Sequence, residues 1–403
     1  MHPIDPDSYD LSSLQALLHA VFTQSATVEG AHTLLMAEAP PEHRSRILAT
    51  FPIAKALLRH WYLLCFLAEQ KPALDASLAD VLLKVTTDFK PDLDACLKDP
   101  ASWPVRWTQR LAQAQLDPPR FYSLSPFLWD RLQASHGNEL KTILAALNQH
   151  QPPTLRVNTL KSTPTAVMQS LQSNGFSVQK LGPETLSMRG ETHLHHTEAF
   201  RNGWFEIQDQ HSQQVAPFCQ VKPGQRVLDG CAGAGGKSLH LAALMQNRGQ
   251  IIAMDIVAQK LERLQERARR AGVHCLQSRL KTSTKTLKRL RDSFDLVLID
   301  APCSGTGTLG RHPEIKFTLT QQRLDQLQNE QAELLRRHAW VVKPGGTLVY
   351  ATCSLLNEEN TEQISSFLNS FPDFHLQQAQ TLLPDSQGGQ GFFMARLQRA
   401  SQH

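Results

Sequence analysis

The chain has 403 residues, a formal net charge of +4 and seven cysteines. Its length exceeds that of one ordinary compact core and predicts two or three domains. No apolar run is long enough to span a bilayer, no cysteine or histidine spacing is that of a structural zinc site, and the first ten residues lack a signal-peptide pattern. We therefore expect a protein of the reducing cytoplasm that spans no membrane and binds no metal.

Positive charge is concentrated in one part of the chain. Residues 260–291 contain eleven Lys or Arg and two Glu. This cluster is compatible with binding to a polyanion such as nucleic acid, and equally with surface helices that carry a solvated basic face. Charge alone leaves both interpretations open.

Residues 1–118 are predicted to form an all-helical domain. Apolar side chains recur at helical spacing in stretches such as Ile53–Leu67 and Leu78–Val85. Asp117, Pro118 and Pro119 interrupt this pattern, and we expect a linker to begin there.

Residues 119–208 are predicted to form a small α+β module. A helical segment, Pro126–Leu147, is followed by a strand between turns at residues 152–160 and by a helix, Pro164–Ser173. The mixture of both element types distinguishes this part from the helical region before it.

Residues 209–400 alternate strands with helices. Strands are predicted at 226–229, 251–255, 295–300, 347–352 and 391–397, with a weak strand near residue 275 and helices after residue 237, at 257–271 and at 319–340. Alternation of this kind favours parallel pairing of the strands. We therefore predict an α/β fold with a Rossmann-like sheet.

The turn after the first of these strands has the composition of a ligand-binding turn. It consists of Cys231, Ala232, Gly233, Ala234, Gly235, Gly236 and Lys237. A glycine-rich turn lets the backbone approach a ligand and points helix amides at it. Neither a phosphate loop nor a dinucleotide fingerprint fits, because Cys231 and Ser238 stand where each of these motifs requires glycine.

Asp255 ends the next strand, about twenty residues further on, which is the usual place of a ribose-binding acid. Its carboxylate could accept hydrogen bonds from both ribose hydroxyls. It could also cap the helix that follows, and one side chain could serve both ends.

Two cysteines follow predicted strands of the same sheet. Cys303 lies in Asp300–Gly307, with the sequence DAPCSGTG, and Cys353 lies in Tyr350–Ser354, with the sequence YATCS. Because open α/β sheets build their sites at the carboxyl ends of the strands, both thiols could face one substrate. A thiolate is a strong nucleophile for an electron-poor carbon, whereas a single buried cysteine is more often a packing residue.

Together these motifs resemble those of RsmB/Sun-type RNA cytosine-5 methyltransferases, most closely the RsmB branch that acts on 16S ribosomal RNA. The resemblance covers about residues 121–397. It implies S-adenosylmethionine as cofactor, held by Cys231–Lys237, with Asp255 on the ribose and Asp300 close to both the methyl donor and the cytosine. It also implies that the amino-terminal domain docks RNA, with a fold that could be similar to the antitermination factor NusB.

The resemblance also implies a covalent mechanism. The Cys353 thiolate adds to cytosine C6 while Asp300 hydrogen-bonds the ring, and Cys303 then acts as, or positions, the base that removes the C5 proton. The target base must leave its stack, because neither ring face is accessible within a helix. A transfer RNA cytosine-5 methyltransferase and a non-catalytic RNA-binding ribosome assembly factor remain alternatives.

Two positions depart from the family pattern. The turn has Ala234 where the family often has proline, and we expect the backbone cradle to be preserved. The third strand lacks the Asp that commonly contacts adenine, and Gln277, Ser278 or a backbone amide is expected to replace it.

Overall fold

In the computed structural model of the chain, the described residues are 10–24, 26–88, 105–149, 152–189, 194–281, 287, 289–385 and 389–401. They form two compact units. The helical unit comprises the described residues of Met1–His150 and Thr308–Gln321, and the α/β unit comprises those of Gln151–Gly307 and Gln322–His403. Within the described ranges, no helix combines the length and the apolar character needed to cross a membrane.

The helical unit is built from short helices around one apolar core. The helices are Leu11–Gln24, Val28–Glu38, Arg44–Arg59, Trp61–Leu67, Ala79–Asp88, Val105–Gln115, Pro118–Phe121, Pro126–His136, Leu140–Leu147 and Ile315–Thr318. Leu14, Leu17 and Leu18 lie on one face of the first helix and are fully buried, as the helical period requires. Phe317, from the second segment, packs against the same core, with its ring centroid 5.1 Å from that of Tyr62.

Two sequence-based expectations for the helical unit are wrong. The expected linker at Asp117 is instead the start of the helix Pro118–Phe121, because the Asp117 carboxylate accepts a hydrogen bond from the Arg120 amide and proline suits a first helical turn. The single helix expected over Pro126–Leu147 is broken after residue 136. Gly137 there has a φ of 51° and begins a 3-10 turn.

The first part of the α/β unit is a four-stranded antiparallel sheet. Its strands are β1 (Thr154–Val157), β2 (Ser177–Lys180), β3 (Thr185–Arg189) and β4 (Phe205–Ile207), in the order β2-β3-β1-β4. The helix Pro164–Ser173 has the predicted bounds, and a short helix, Glu198–Arg201, precedes β4. The sequence pattern did not predict β2, β3 and β4, because strands of three to five residues are too short to show a clear period.

The second part is a seven-stranded sheet in the order β10-β11-β9-β8-β5-β6-β7. Its strands are β5 (Arg226–Asp229), β6 (Gln250–Asp255), β7 (Leu276–Leu280), β8 (Phe294–Asp300), β9 (Val342–Thr352), β10 (Phe374–Leu382) and β11 (Phe392–Arg399). Its helices are Val215–Phe218, Gly236–Leu244, Ala258–Ala271, Gln321–Ala339 and Thr361–Ser370. Neighbours among β5 to β9 pair in parallel, and β11 pairs antiparallel with β9 and β10. The predicted Rossmann-like sheet is confirmed.

The sheet is buried on both faces by two apolar clusters and ends in polar side chains. At the carboxyl ends of adjacent parallel strands lie Asp229, Asp255 and Asp300, and Cys353 follows the last residue of β9. The register pairs Asp300 with Ala351, two residues before Cys353. Pairing therefore brings the two cysteine motifs to one edge of the sheet.

Candidate active site

The glycine-rich turn between β5 and the helix Gly236–Leu244 needs glycine for two reasons. Gly233 and Gly235 have φ values of 54° and 88°, in the left-handed region that favours glycine. A Cβ on Gly235 would stand 2.7 Å from Cγ of Leu264, whereas nothing lies within 4 Å of a Cβ built on Gly233. The turn is thus packed against the helix Ala258–Ala271 at Gly235 and open at Gly233, where a ligand has room.

Two arginines hold the carbonyl oxygens of this turn. Arg156 of β1 donates to the Gly236 oxygen at 2.6 Å, and Arg267 donates to the Ala234 oxygen at 2.8 Å. Arg156 is 2% exposed, and burial lowers its pKa to about 10. The sequence analysis missed both residues, although an arginine within the apolar β1 is a signal that could have found the first.

Asp255 bonds to the main chain at two places, in the turn and before the next helix. One carboxylate oxygen accepts from the Gly233 amide and the other from the Val257 amide, both at 2.9 Å. The side chain therefore joins the turn to the start of the helix Ala258–Ala271. Each oxygen keeps a second lone pair with which it can accept from a ribose hydroxyl.

Asp229, at the end of β5, is hydrogen-bonded to residues of the turn and of the helix after it. It is 1% exposed and accepts from the Ser238 hydroxyl at 2.6 Å and from the Cys231 amide at 3.4 Å. Burial raises the pKa of Asp229 to about 6, and burial also raises the pKa of the Cys231 thiol. A thiol of that kind stays protonated, so Cys231 is suited to packing in the turn and not to nucleophilic attack.

The side chain of Lys237, the last residue of the turn, reaches a partner outside the turn. Its ammonium donates to a carboxylate oxygen of Asp300 at 2.6 Å and lies 5.4 Å from the centroid of the Phe392 ring. Burial opposes the charge of Lys237, but the attraction of Asp300 outweighs it and raises the pKa of the lysine. The sequence analysis assigned Lys237 to the cofactor turn and did not anticipate this ion pair.

The two predicted thiols meet. The Sγ atoms of Cys303 and Cys353 are 3.4 Å apart. The hydrogen bond from Cys303 lowers the pKa of Cys353, and the same contact raises the pKa of Cys303 well above its ordinary value. This contact favours ionisation of Cys353 over ionisation of Cys303, and a lowered thiol pKa is what a nucleophile requires.

At the third strand, both candidate replacements for the family's Asp have partners within the chain. The Ser278 hydroxyl accepts from Gln265 at 2.6 Å, and the Gln277 side chain accepts from Arg279 at 2.9 Å. Their contact with an adenine stays a prediction.

The two cysteine motifs are joined by the buried carboxylate of Glu359. It accepts hydrogen bonds from the hydroxyls of Ser304 and Ser354. The sequence analysis missed Glu359. The polar run Asn357–Asn360, two residues after a cysteine motif, was the available signal.

The fold and the site define the class: a Rossmann-like, S-adenosylmethionine-dependent methyltransferase fold. Residues 217–398 match the family model described as 16S rRNA methyltransferase RsmB/F. Residues 125–194 match that of the RsmF/B-like ferredoxin-like domain. The chain belongs to the RsmB/F methyltransferase family.

Curated relatives and solved structures agree with this family. The ribosomal RNA small subunit methyltransferase B of Klebsiella pneumoniae is 34% identical over 67% of this chain and 65% of its own length. The chain thus spans less than two thirds of the length of that relative. The crystal structure of PH0851 matches 97% of this chain and 99% of its own with a TM-score of 0.76 and 25% identity. A methyltransferase homolog protein from Pyrococcus horikoshii matches 68% of this chain and 95% of its own, with a TM-score of 0.61 and 30% identity.

Proposed function

We propose that the protein methylates C5 of a cytosine in RNA, with S-adenosylmethionine as cofactor and small-subunit ribosomal RNA as substrate. The observation that carries the proposal is the pair of thiols 3.4 Å apart. An ion pair between Lys237 and Asp300 accompanies them at the same edge of the sheet. The name of the curated relatives supports ribosomal RNA, transfer RNA is the alternative substrate, and we place the reaction in the cytoplasm.

The residues of the turn fit the proposed cofactor. Gly233 leaves open space above the turn, and the Asp255 carboxylate beside it can accept from ribose hydroxyls. When bound, S-adenosylmethionine supplies an electrophilic methyl group on a sulfonium. The main chain of Cys231–Lys237 would hold its polar part, and Asp300 would lie at the methyl-bearing end.

Attack by Cys353 begins the proposed reaction. Its thiolate forms a bond to C6 of a cytosine that has left its stack, and the electron pair of the C5–C6 double bond moves toward C5 and the ring. The C5 atom would then be nucleophilic enough to take a methyl group, which S-adenosylmethionine held by Cys231–Lys237 would supply with its sulfur as the leaving group.

Lys237 and Asp300 would stabilise the charge that this attack delivers to the ring. The Asp300 carboxylate can accept a hydrogen bond from the cytosine edge, and the Lys237 ammonium beside it opposes the developing negative charge. Fixed groups of this kind act most strongly when burial excludes water, and the Lys237 side chain is 12% exposed.

Cys303 completes the reaction. The hydrogen bond with Cys353 is the largest cause of its raised pKa, so that part of the raise is removed once Cys353 is bound to carbon, while burial still raises the pKa. Cys303 can then lose its proton to water and remove the proton from C5. The C5–C6 double bond forms again, and the bond between C6 and Cys353 breaks with its electron pair returning to sulfur.

The test is a denaturing gel of the wild type, Cys303→Ala and Cys353→Ala after incubation with undermethylated small-subunit ribosomal RNA and S-adenosylmethionine. We expect Cys303→Ala to accumulate a denaturant-resistant RNA adduct and Cys353→Ala to form neither adduct nor methylcytosine. The matched control is Cys275→Ala, which changes a partly buried thiol outside the site. An adduct in Cys353→Ala but not in Cys303→Ala would reverse the two roles.

The substrate class needs a separate comparison. Methyl transfer from labelled cofactor should be faster to undermethylated small-subunit ribosomal RNA than to unmodified transfer RNA, and the labelled product should be destroyed by ribonuclease and not by deoxyribonuclease. Faster transfer to transfer RNA would select the alternative substrate while leaving the reaction unchanged.

A further inference from the structure

Glu359 is a fully buried carboxylate that follows the second thiol in sequence. It ends the 3-10 turn Asn357–Glu359 and has 0% of its surface exposed. A buried carboxylate is costly unless its oxygens are hydrogen-bonded. The hydrogen-bond partners of the Glu359 carboxylate therefore indicate its role.

Four donors from three residues surround this carboxylate. One oxygen accepts from the Ser304 amide at 2.8 Å and from Nε2 of Gln331 at 2.9 Å. The other oxygen accepts from the Ser304 and Ser354 hydroxyls, each at 2.5 Å. Two oxygens offer about four lone-pair sites, so these donors use the full capacity of the group.

Three of the four donors come from the two cysteine motifs. Ser304 directly follows Cys303, and Ser354 directly follows Cys353. The Gln331 side chain also donates to the carbonyl oxygen of Pro302, the residue before Cys303, at 2.8 Å. One carboxylate thus bonds the residue that follows each thiol.

The surrounding bonds keep the carboxylate itself in place. The Tyr350 hydroxyl donates to the main-chain oxygen of Glu359 at 2.8 Å. The neighbouring Asn360 accepts from the Thr352 hydroxyl at 2.6 Å and donates to the Ser354 oxygen at 2.9 Å. The carboxyl end of the 3-10 turn is therefore anchored to the end of β9 and to the residue after Cys353.

We propose that Glu359 is a positioning residue that sets the separation between the thiols of Cys303 and Cys353 by holding the residue after each of them. The proposal rests on the proposed function in so far as it takes the thiols as the reacting groups. Because four donors already occupy its oxygens, Glu359 acts through position and not through proton transfer. Displacing a reacting group by about 1 Å can cost about 100-fold in rate.

The first experiment compares Glu359→Gln, Glu359→Asp and the matched control Glu362→Gln, which removes an exposed carboxylate three residues away. An amide replaces one acceptor oxygen by a donor, so two donors of the cluster lose their partner. We expect Glu359→Gln to lower kcat about 100-fold while the KM for S-adenosylmethionine is unchanged. Glu359→Asp keeps both acceptors and should recover part of the rate.

Three results would overturn the proposal. They are a wild-type kcat in Glu359→Gln, an equal loss of kcat and cofactor affinity, and no recovery in Glu359→Asp. The second of these is what a general loss of folding would produce, since the turn at Gly233 and Asp255 makes none of the bonds described above.

Single serine variants separate the two halves of the cluster. Ser354→Ala releases the Cys353 side and should slow formation of the RNA adduct. Ser304→Ala removes a hydroxyl bond on the Cys303 side and should slow release, so that the adduct accumulates. If both variants slow the same step, Glu359 does not position the two thiols separately, and the proposal fails.

Alkylation of the thiols distinguishes this proposal from the proposed function. In the wild type, iodoacetamide should modify Cys353 faster than Cys303, as read by mass spectrometry without any RNA, and Glu359→Gln should reduce this ratio. An unchanged ratio would reject positioning whatever the protein methylates. If the ratio falls but the wild type methylates no cytosine, the positioning stands and the proposed function fails.

Discussion

Two lysines, one fully buried in the helical unit and one mostly buried in the α/β unit, have different kinds of partners. In the helical unit, Lys316 is 1% exposed and its ammonium donates to the main-chain oxygens of Arg59 and Tyr122 at 2.6 and 2.9 Å and to the Asn148 side chain at 2.7 Å. In the α/β unit, Lys237 donates to the carboxylate of Asp300 at 2.6 Å.

The difference lies in the acceptors. An ammonium has three N–H groups, and Lys316 gives all three to neutral, fixed oxygens of its own unit. Such a group joins separate segments and has nothing left for a ligand. Among the described residues, Lys237 has only its carboxylate partner as a hydrogen-bond acceptor, so two N–H groups remain for a substrate. The number of ammonium N–H groups that have acceptors within the protein thus distinguishes a structural lysine from one that can bind a ligand.

Lys237→Met should therefore act on the reaction. Loss of a fixed charge aimed at the developing negative charge is expected to lower kcat about 1000-fold. Steady-state methyl transfer measures this, with Lys222→Met, an exposed lysine of the same unit, as the control. A loss of only a few fold would remove Lys237 from the proposed mechanism and weaken the contrast with Lys316.

Lys316→Met should act on stability. The methionine removes one donor from each of three oxygens, and we expect the free energy of unfolding of the helical unit to fall by about 3 kcal/mol. Hydrogen exchange of peptides from Arg44–Leu67, followed against denaturant, reports on that unit. Lys141→Met changes an exposed lysine of the same unit and should leave exchange unchanged. Exchange as slow in Lys316→Met as in the wild type would show that the three bonds contribute little.

The smallest expected effect is a pH-dependent change in the free energy of unfolding that arises from His312. Burial disfavours its charge, but the carboxylates of Glu29 and Glu314 outweigh burial and raise the pKa of His312 to about 9. Because this value exceeds that of the unfolded chain, about 6.5, the stabilisation is complete below pH 6.5 and is lost as the pH rises through 9. The side chain is 39% exposed, so screening limits the effect to about 1 kcal/mol.

The measurement is the free energy of unfolding at pH 6 and at pH 10 for the wild type and His312→Gln. The variant should lose less stability between the two values than the wild type does. An equal loss in both proteins would mean that His312 is not charged in the folded helical unit, and that this unit has no pH-dependent ion pair at that position.

Much of the α/β unit could be predicted because its signals are local. The strand β5 and the helix Pro164–Ser173 have the predicted bounds, since apolar period and flanking turn residues are readable within a dozen residues. The edge strand β10 was missed, because nearly all its side chains are exposed and no apolar alternation marks it.

The sequence by itself determined which residues are candidates for chemistry and which strands they follow. The turn Cys231–Lys237, Asp255 and the two cysteine motifs could be identified because each is a short stretch of unusual composition after a strand. The approach of the two thiols also followed from the order of parallel strands, whose carboxyl ends share one edge.

Only the tertiary structure decided the partners of the buried charges. Lys316 meets an oxygen 257 positions away, Lys237 meets Asp300 across 63 positions, and Glu359 meets Ser304 across 55. It also decided that Thr308–Gln321 belongs to the helical unit, although this segment follows a motif of the α/β unit. Such pairings depend on how the backbone brings distant segments together, and no local period or composition records that.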